Sequence, residues 1–249
     1  MRWYLIVVYM LSISALAEAP KALHLVEDPW PPYTYGEYSS KPTRGAVVEV
    51  LEYIFRDSHL KLTLYPWKRA LLLAKEGIVD GLMLTVETKE REDDFIFSEP
   101  IFNDEIVFIV HSEQAIHYQG LHSLKGLIIG TVHGSKYSNE FQEAIQQKVI
   151  TVEPADEIQT NIKKLMNRRI DVVVSSKIAF CNTFKDIWPE ANFTILSPAL
   201  KKIELKIAIS KKSSLSHHID YINKEIIAFK KEPNYHEIVK RYFGECHVK

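Results

Sequence analysis

The sequence has little cysteine and no excess of charge of one sign. Its two cysteines, Cys181 and Cys246, are too few and too far apart for a zinc ribbon or a disulfide scaffold, and they leave open either one disulfide or two separate buried thiols. The 31 Lys+Arg residues stand against 32 Asp+Glu residues, for a formal net charge of −1. Without a basic excess to neutralise phosphates, the composition disfavours a general nucleic-acid binder. It also gives no reason to expect adhesion to an anionic membrane surface.

Long apolar runs and the common catalytic motifs are lacking as well. The longest apolar run, from Trp3 to Leu11, is about half of the ~20 residues that a membrane-spanning helix needs. Gly-rich phosphate loops, HExxH, CxxC and the GxSxG elbow are all absent. The adjacent His217 and His218 do not face one site on a helix. We therefore expect no metal site, no cofactor and no enzymatic activity.

The first nineteen residues have the organisation of an export signal. Arg2 precedes the apolar run, and small residues stand at −3 and −1 of a cleavage site after Ala17 or after Ala19. No cysteine lies near this site, so a lipid anchor is not expected. We expect residues 1–19 to be removed and the mature protein to lie in a Gram-negative periplasm, a compartment that permits disulfides.

The rest of the chain alternates between strand and helix patterns. With 46% apolar and 25% charged residues, its composition is ordinary for a globular protein. Period-two and short apolar stretches predict strands, and helical spacing predicts the segments between them. The predicted strands are 23–27, 60–65, 78–84, 105–111, 127–131, 150–152, 170–174, 193–196 and 205–209. The predicted helices begin at 45 and span 67–76, 135–147, 155–167, a segment ending at 184, 214–230 and 234–243.

This βαβ rhythm occurs twice, each time over about ninety residues. It predicts an α/β fold of two lobes, each a mostly parallel sheet flanked by helices. No flexible linker separates the lobes, so ordered strands must join them, with residues 105–111 as the first crossing. A ligand cleft is expected between the lobes, near the carboxyl ends of the strands.

Four residues at predicted strand ends have side chains suited to holding a ligand. Trp30 and Trp67 each follow a strand, where they either sandwich a ligand or fill the lobe cores. Arg91 follows the strand at 78–84, where its fork could grip a carboxylate, although alone it is equally a solvated arginine. Ser135 separates a strand from a helix as a candidate N-cap, next to amides that favour an anion.

Several segments together resemble one known family, the family 3 bacterial solute-binding proteins. The similarity extends over essentially all of the mature chain, in order and at the expected spacings. In the first half it rests on Trp30-Pro31-Pro32-Tyr33-Thr34-Tyr35, Gly45, Pro66-Trp67-Lys68-Arg69-Ala70, Glu76-Gly77-Ile78-Val79-Asp80-Gly81, Thr88-Lys89-Glu90-Arg91 and Phe95-Ile96-Phe97-Ser98-Glu99-Pro100. In the second half it rests on Leu124-Lys125-Gly126, Ile129-Gly130, Gly134-Ser135, Arg169-Ile170-Asp171-Val172-Val173, Ile207-Ala208-Ile209, Tyr235 and Tyr242-Phe243-Gly244.

The resemblance implies a type II periplasmic binding protein fold, whose two lobes close on a ligand. The first lobe would be discontinuous, at 20–110 plus 203–249, with 111–202 forming the second. By analogy with amino-acid-binding members, Trp30 and Trp67 would contact the ligand and Arg91 would grip its α-carboxylate. Ser135 matches the small hydroxyl residue at the start of the second-lobe helix.

Two positions depart from the family pattern. Ser176 stands where amino-acid-binding members have the acidic residue that holds an α-ammonium group. Val86 stands where a threonine or serine is usual, although Thr85 is adjacent. A ligand carboxylate is therefore better supported than an α-amino group, and Glu27 or Asp28 would be the source of a replacement negative charge. The expected ligand-binding set is Trp30, Trp67, Thr85, Arg91, Ser135 and Ser176.

The resemblance predicts a monomeric periplasmic protein that captures a small carboxylate-bearing solute for an ABC importer. The solute would be an amino acid or a relative, and the partner an inner-membrane permease. No nucleic acid and no membrane insertion after signal cleavage are expected. Two alternatives stay open: a periplasmic dehydratase of the cyclohexadienyl type on the same fold, and a binding protein that serves a sensor.

Overall fold

The computed structural model of the chain describes residues 19–184 and 192–244, with only the backbone described at 183 and 184. The strands are β1 (Ala22–Glu27), β2 (His59–Leu64), β3 (Gly81–Val86), β4 (Phe95–Phe97), β5 (Phe102–His111), β6 (Ile128–Val132), β7 (Thr151–Ala155), β8 (Val172–Ser176), β9 (Phe193–Ile195) and β10 (Lys201–Ser210). The helices are α1 (Ala46–Ile54), α2 (Trp67–Lys75), α3 (Lys89–Glu92), α4 (Asn139–Gln146), α5 (Ile158–Met166), α6 (Lys177–Phe184), α7 (Ile219–Phe229) and α8 (Pro233–Phe243). Short 3₁₀ helices span Leu121–Leu124 and Ser216–His218.

The strands form one curled sheet with two parallel halves. Their order is β2-β1-β3-β10-β5-β8-β6-β7, with β4 beside β10 and β9 beside β5. β1 runs parallel to β2 and β3, and β6 runs parallel to β7 and β8. The long strands β5 and β10 pair antiparallel with each other and join the halves. We call β1–β3 with α1–α3, α7 and α8 the first lobe, β6–β8 with α4–α6 the second lobe, and β5 with β10 the crossing strands.

Helices cover both faces of the sheet in each lobe. In the first lobe, α1 buries six residues against one face, and α2 covers the other face with Ala70 and Ala74. In the second lobe, Phe141 of α4 packs on one face of the sheet, and Ile162 and Leu165 of α5 with Phe180 of α6 pack on the other. Each Val, Leu or Ile side chain buried in this way contributes about 1.5–3 kcal/mol. Packing of these helices therefore fixes the strand ends at which the lobes face each other.

Gly45 fixes the start of α1 against the turn that follows β1. Its φ is 150°, and a Cβ added there would lie 2.1 Å from the carbonyl oxygen of Tyr33. Only glycine fits both the backbone angle and this close approach. The next amides, Ala46 N and Val47 N, donate to the carbonyls of Pro32 and Tyr33 at 3.0 and 3.2 Å. The segment around Trp30 is thereby anchored to the first helix.

The two-lobed α/β fold predicted from the sequence is confirmed, with local differences. The prediction that Ser135 caps a helix is wrong, because α4 begins at Asn139 and the Ser138 side chain accepts the Phe141 amide. β3 lies three residues later than predicted, at Gly81–Val86. α3 and β4 were not predicted, because four and three residues are too short to show a period.

Other predictions concern residues at the edge of the described chain. The predicted export signal covers residues 1–19, of which 1–18 are outside the described part. Cys181 is disulfide-bonded, and Cys246 lies outside the described residues.

In the described chain, no helix combines the length and the apolar character needed to cross a membrane, and no group of three or more His, Cys, Asp or Glu side chains is arranged for a metal ion.

Candidate functional site

The turn after β1 holds Trp30 in a fixed position. The Trp30 amide donates to Thr34 Oγ1 at 2.8 Å, and the Tyr33 amide donates to the Trp30 carbonyl at 2.8 Å. The Trp30 and Tyr33 ring centroids are 4.6 Å apart. Trp30 is half-buried and packs on the main core at one side. Both roles that the sequence left open for Trp30 therefore remain compatible with the structure. One side of the residue fills the core of the lobe, and the other side stays exposed.

Arg91 is held in its orientation by Thr85 and Trp67, two of the residues that the sequence predicted for the ligand-binding set. Its Nη1 donates to Thr85 Oγ1 at 2.7 Å and to the Val86 carbonyl at 2.9 Å. Its Cζ lies 5.1 Å from the centroid of the Trp67 ring, within cation–π range. Within residues 19–184 and 192–244, Nε and Nη2 of Arg91 make no hydrogen bond. A half-buried guanidinium thus keeps donors for a carboxylate.

Two carboxyl groups, those of Glu27 and Asp28, stand next to each other at the end of β1. Glu27 is fully buried, and its Oε2 and Oε1 accept the amides of Leu84 at 3.0 Å and Asp28 at 3.2 Å. Burial, and then the charge of Asp28, raise the pKa of Glu27 well above its usual range. Burial also raises the pKa of Asp28 to about 6.

The electrostatic effect of Glu27 extends to Arg91. Burial lowers the pKa of Arg91, and the charge of Glu27 opposes that change. The site therefore combines one cation with an acidic pair, which is the arrangement a zwitterion or a cationic amino acid would complement.

The turn after β6 meets the first lobe opposite Trp67. A Cβ added at Gly134 would lie 3.4 Å from Lys68 Cε and 3.6 Å from Trp67 Cδ1. Next to it, Lys136 Nζ pairs with Glu90 Oε2 across the lobes. Ser135 lies in this turn, with its amide donating to the Val132 carbonyl at 3.1 Å. The structure thus brings the Ser135 turn to the mouth of the cleft beside Trp67.

A second contact between the lobes lies beyond Trp30. Asn182 Nδ2 on α6 donates to Tyr35 OH at 2.8 Å. Together with the Gly134 turn, this contact places the facing strand ends of the two lobes against each other.

Ser176 points toward the crossing strands. Its Oγ donates to Asp104 Oδ2 and accepts the Ala179 amide at 3.0 Å. The side chain is buried, so its predicted contact with a ligand stays a prediction. The sequence interpretation did not include Asp104. Asp104 fell outside the predicted crossing strand at 105–111, because that strand in fact begins at Phe102.

A groove of about 690 Å³ runs along the crossing strands. It is lined by Val86 at the end of β3, by Glu87 after it, and by polar residues of β5 and β10, among them Asn103, Lys202 and Lys206. Trp30, Trp67, Thr85, Arg91, Ser135 and Ser176 do not line it. The groove nevertheless borders these residues, since it is also lined by Asp104, which bonds Ser176, and since the Val86 carbonyl accepts from Arg91.

Two α/β lobes joined by crossing strands, with aromatic and charged side chains at facing strand ends, define the type II periplasmic binding protein class. The family model for bacterial extracellular solute-binding proteins, family 3, matches residues 24–245. The chain belongs to this family. A search of curated proteins gives no significant match.

Solved structures share the fold at low sequence identity. An ancestral arginine-binding protein bound to glutamine is 22% identical with a TM-score of 0.73, over 92% of this chain and 100% of that chain. A histidine kinase sensor domain with similarity to periplasmic binding proteins is 15% identical with a TM-score of 0.76, over 90% and 96%. An ancestral amino acid-binding protein, a precursor of cyclohexadienyl dehydratase, is 14% identical with a TM-score of 0.73, over 90% and 96%.

Proposed function

We propose that this protein captures a small carboxylate-bearing solute, an amino acid or a relative, in the periplasm and delivers it to an ABC importer. The observation that carries the proposal is the fixed Arg91 guanidinium, which keeps free donors beside the Trp67 ring. A bidentate contact with a carboxylate uses those donors. Micromolar capture needs about −8 kcal/mol, which two aromatic faces and one such contact supply after the costs of lobe closure.

The proposal includes the organisation around this site. Residues 1–19 are an export signal that is removed, and the mature chain is a monomer that docks on an inner-membrane permease. Its first lobe spans 20–110 and 203–249, and its second lobe spans 111–202. Trp30, Thr85, Ser135 and Ser176 complete the ligand-binding set.

The acidic pair at the end of β1 extends the proposal to the rest of the ligand. Position 176 lacks a carboxyl group, whereas the charge of Glu27 acts on Arg91 and Asp28 stands next to Glu27 at the end of β1. An ammonium group on the ligand would be satisfied by this pair while the ligand carboxylate binds Arg91. We therefore place amino acids, including cationic ones, ahead of simple dicarboxylates.

The test is a thermal-shift screen over amino acids, polyamines and dicarboxylates, followed by calorimetry on the best ligand. A ligand well above its Kd raises the stability by several kcal/mol, so a true ligand stands out. Stabilisation by amino acids supports the proposal. Stabilisation only by polyamines contradicts it.

Arg91→Ala should weaken binding of that ligand by about 2–3 kcal/mol, because it removes a charged hydrogen-bonding partner. Arg69 offers a matched control, since its guanidinium also stacks on an aromatic ring, Tyr65 at 4.8 Å, but is exposed. Arg69→Ala should leave the calorimetric affinity unchanged. Equal affinities of wild type and Arg91→Ala would remove Arg91 from the site.

One observation favours a second candidate function, a dehydratase. Burial raises the pKa of Glu27, which favours the protonated form that a general acid against a leaving hydroxyl requires. Incubation with prephenate or arogenate, followed by absorbance, separates the two functions. Turnover that is lost in Glu27→Gln would replace the binding function with the enzymatic one, and absence of turnover supports binding.

A further inference from the structure

Asp104 lies on crossing strand β5 and collects hydrogen bonds from three segments. Its Oδ2 accepts Tyr33 OH at 2.9 Å and Ser176 Oγ, and its Oδ1 accepts the amides of Glu105 at 2.7 Å and Ile178 at 3.2 Å. The residue is only 6% exposed. These four donors occupy the roughly four lone-pair positions of a carboxylate, so Asp104 has no acceptor left for a ligand.

The donors come from both lobes. Tyr33 belongs to the turn after β1 in the first lobe, whereas Ser176 ends β8 and Ile178 lies in the first turn of α6 in the second lobe. Asp104 itself lies between them on a strand that joins the lobes. The position of the second lobe is therefore tied through one carboxylate to a side chain of the first.

Tyr33 connects Asp104 to Trp30 by ring packing and a backbone hydrogen bond. Their ring centroids lie 4.6 Å apart, and the Tyr33 amide bonds the Trp30 carbonyl at 2.8 Å. Tyr33 is fully buried and also packs on Phe102 and Phe243 at 5.9 and 5.4 Å. A ring held on all sides cannot shift without moving Trp30, because packed side chains have no free volume.

We propose that Asp104 is a positioning residue, which couples the approach of the two lobes to the orientation of Trp30 and so sets ligand affinity without touching the ligand. This inference rests on the proposed binding function. It replaces the direct ligand contact of Ser176 in the proposed binding set with a place in this network, as the second-lobe donor to Asp104.

The conservative variant Asp104→Asn isolates this role. Burial raises the pKa of the Asp104 carboxyl despite the bonds to it, so the folded protein bears a cost for the charge. An amide of the same shape removes that cost, and the variant is expected to fold. An amide nitrogen cannot accept a hydrogen, so Tyr33 and Ser176 lose their charged acceptor and can keep the contact only by accepting from the amide in weaker, neutral hydrogen bonds.

The first measurement is the affinity for the L-amino acid that gives wild type its largest thermal shift. Asp104→Asn should weaken calorimetric binding about tenfold, with the rank order of L-amino acids unchanged. The matched control is Glu204→Gln, an acid-to-amide change on the other crossing strand at a side chain that is 58% exposed. The control should bind as wild type does. Wild-type affinity in Asp104→Asn would overturn the proposal, as would an equal loss in the control.

A cycle of variants tests the coupling itself. Tyr33→Phe removes the first-lobe donor and Ser176→Ala removes the second-lobe donor. If Asp104 links them, each change weakens binding, and the double variant is no weaker than the worse single variant. If the fold-losses in affinity of the two single variants multiply in the double variant, the two donors act independently and the coupling is overturned. Ser176→Ala in an Asp104→Leu background, where position 104 has no hydrogen-bonding group, should cause no further loss, whereas a further loss would overturn the assignment of Ser176 to the network.

The distance between the lobes gives a readout that needs no ligand. Spin labels at Leu72→Cys on α2 and Met166→Cys on α5 occupy side chains that are 57% and 48% exposed, one on each lobe. Asp104→Asn should broaden the distance distribution and lengthen its mean in the unliganded protein. An unchanged distribution would overturn the proposal. If no amino acid binds wild type, the proposed function fails, yet this measurement still decides the role of Asp104.

Discussion

At the scale of single residues, the candidate site consists of charged groups whose pKa values are shifted by burial. Arg91 is kept in place by two oxygen acceptors and an aromatic ring, and the acidic pair of Glu27 and Asp28 lies where β1 ends. Burial disfavours the charged form of every one of these groups. They are nevertheless gathered at one place, which is the pattern expected of a binding site and not of a stabilising core.

The acidic pair makes the stability of the unliganded protein depend on pH. The folded-state pKa of Asp28 is raised to about 6, above its ordinary value of 3.8, so its contribution favours folding at low pH and is lost as the pH rises through about 6. Between about pH 5 and about pH 7 this amounts to a loss of about 1 kcal/mol. Urea unfolding should show that loss in wild type and a flatter profile in Asp28→Asn. The exposed Asp57→Asn serves as the control, and an identical pH profile in wild type and Asp28→Asn would contradict the assignment.

At the scale of elements, the polar turn between β6 and α4 decides what Ser135 does. Ser138 rather than Ser135 caps α4, which leaves residues 133–137 as a turn that reaches Trp67 and Glu90 on the first lobe. A helix beginning at Ser135 would have drawn this backbone into its own first turn. The later start of α4 is therefore what makes the turn available to the cleft.

The cap assignment predicts a difference between two neighbouring serines. Ser138→Ala should lower the free energy of unfolding by about 1 kcal/mol, because the Phe141 amide loses its acceptor. Ser135→Ala should lower it by clearly less, since Ser135 caps no helix. Chemical unfolding of the two variants measures the difference. A larger loss in Ser135→Ala than in Ser138→Ala would contradict the boundary of α4.

At the scale of the whole molecule, periodicity and the family motifs were enough to predict two α/β lobes and the crossing at β5. The family resemblance also placed Thr85, Arg91 and Trp67 in one ligand-binding set, and in the structure Arg91 contacts both of the others. Asp104 was missed, because the three segments that donate to it are up to 74 residues away along the chain. For the same reason, only the folded structure shows that the Ser176 hydroxyl donates a hydrogen bond to the buried Asp104.

The central claim is that the cleft recognises a ligand through its carboxylate. The most direct measurement compares, by calorimetry on the wild-type protein, the best L-amino acid with its α-carboxamide, which differs only in that group. Losing a charged bidentate contact with Arg91 should weaken binding at least about tenfold. Equal affinities for the acid and the amide would contradict the account.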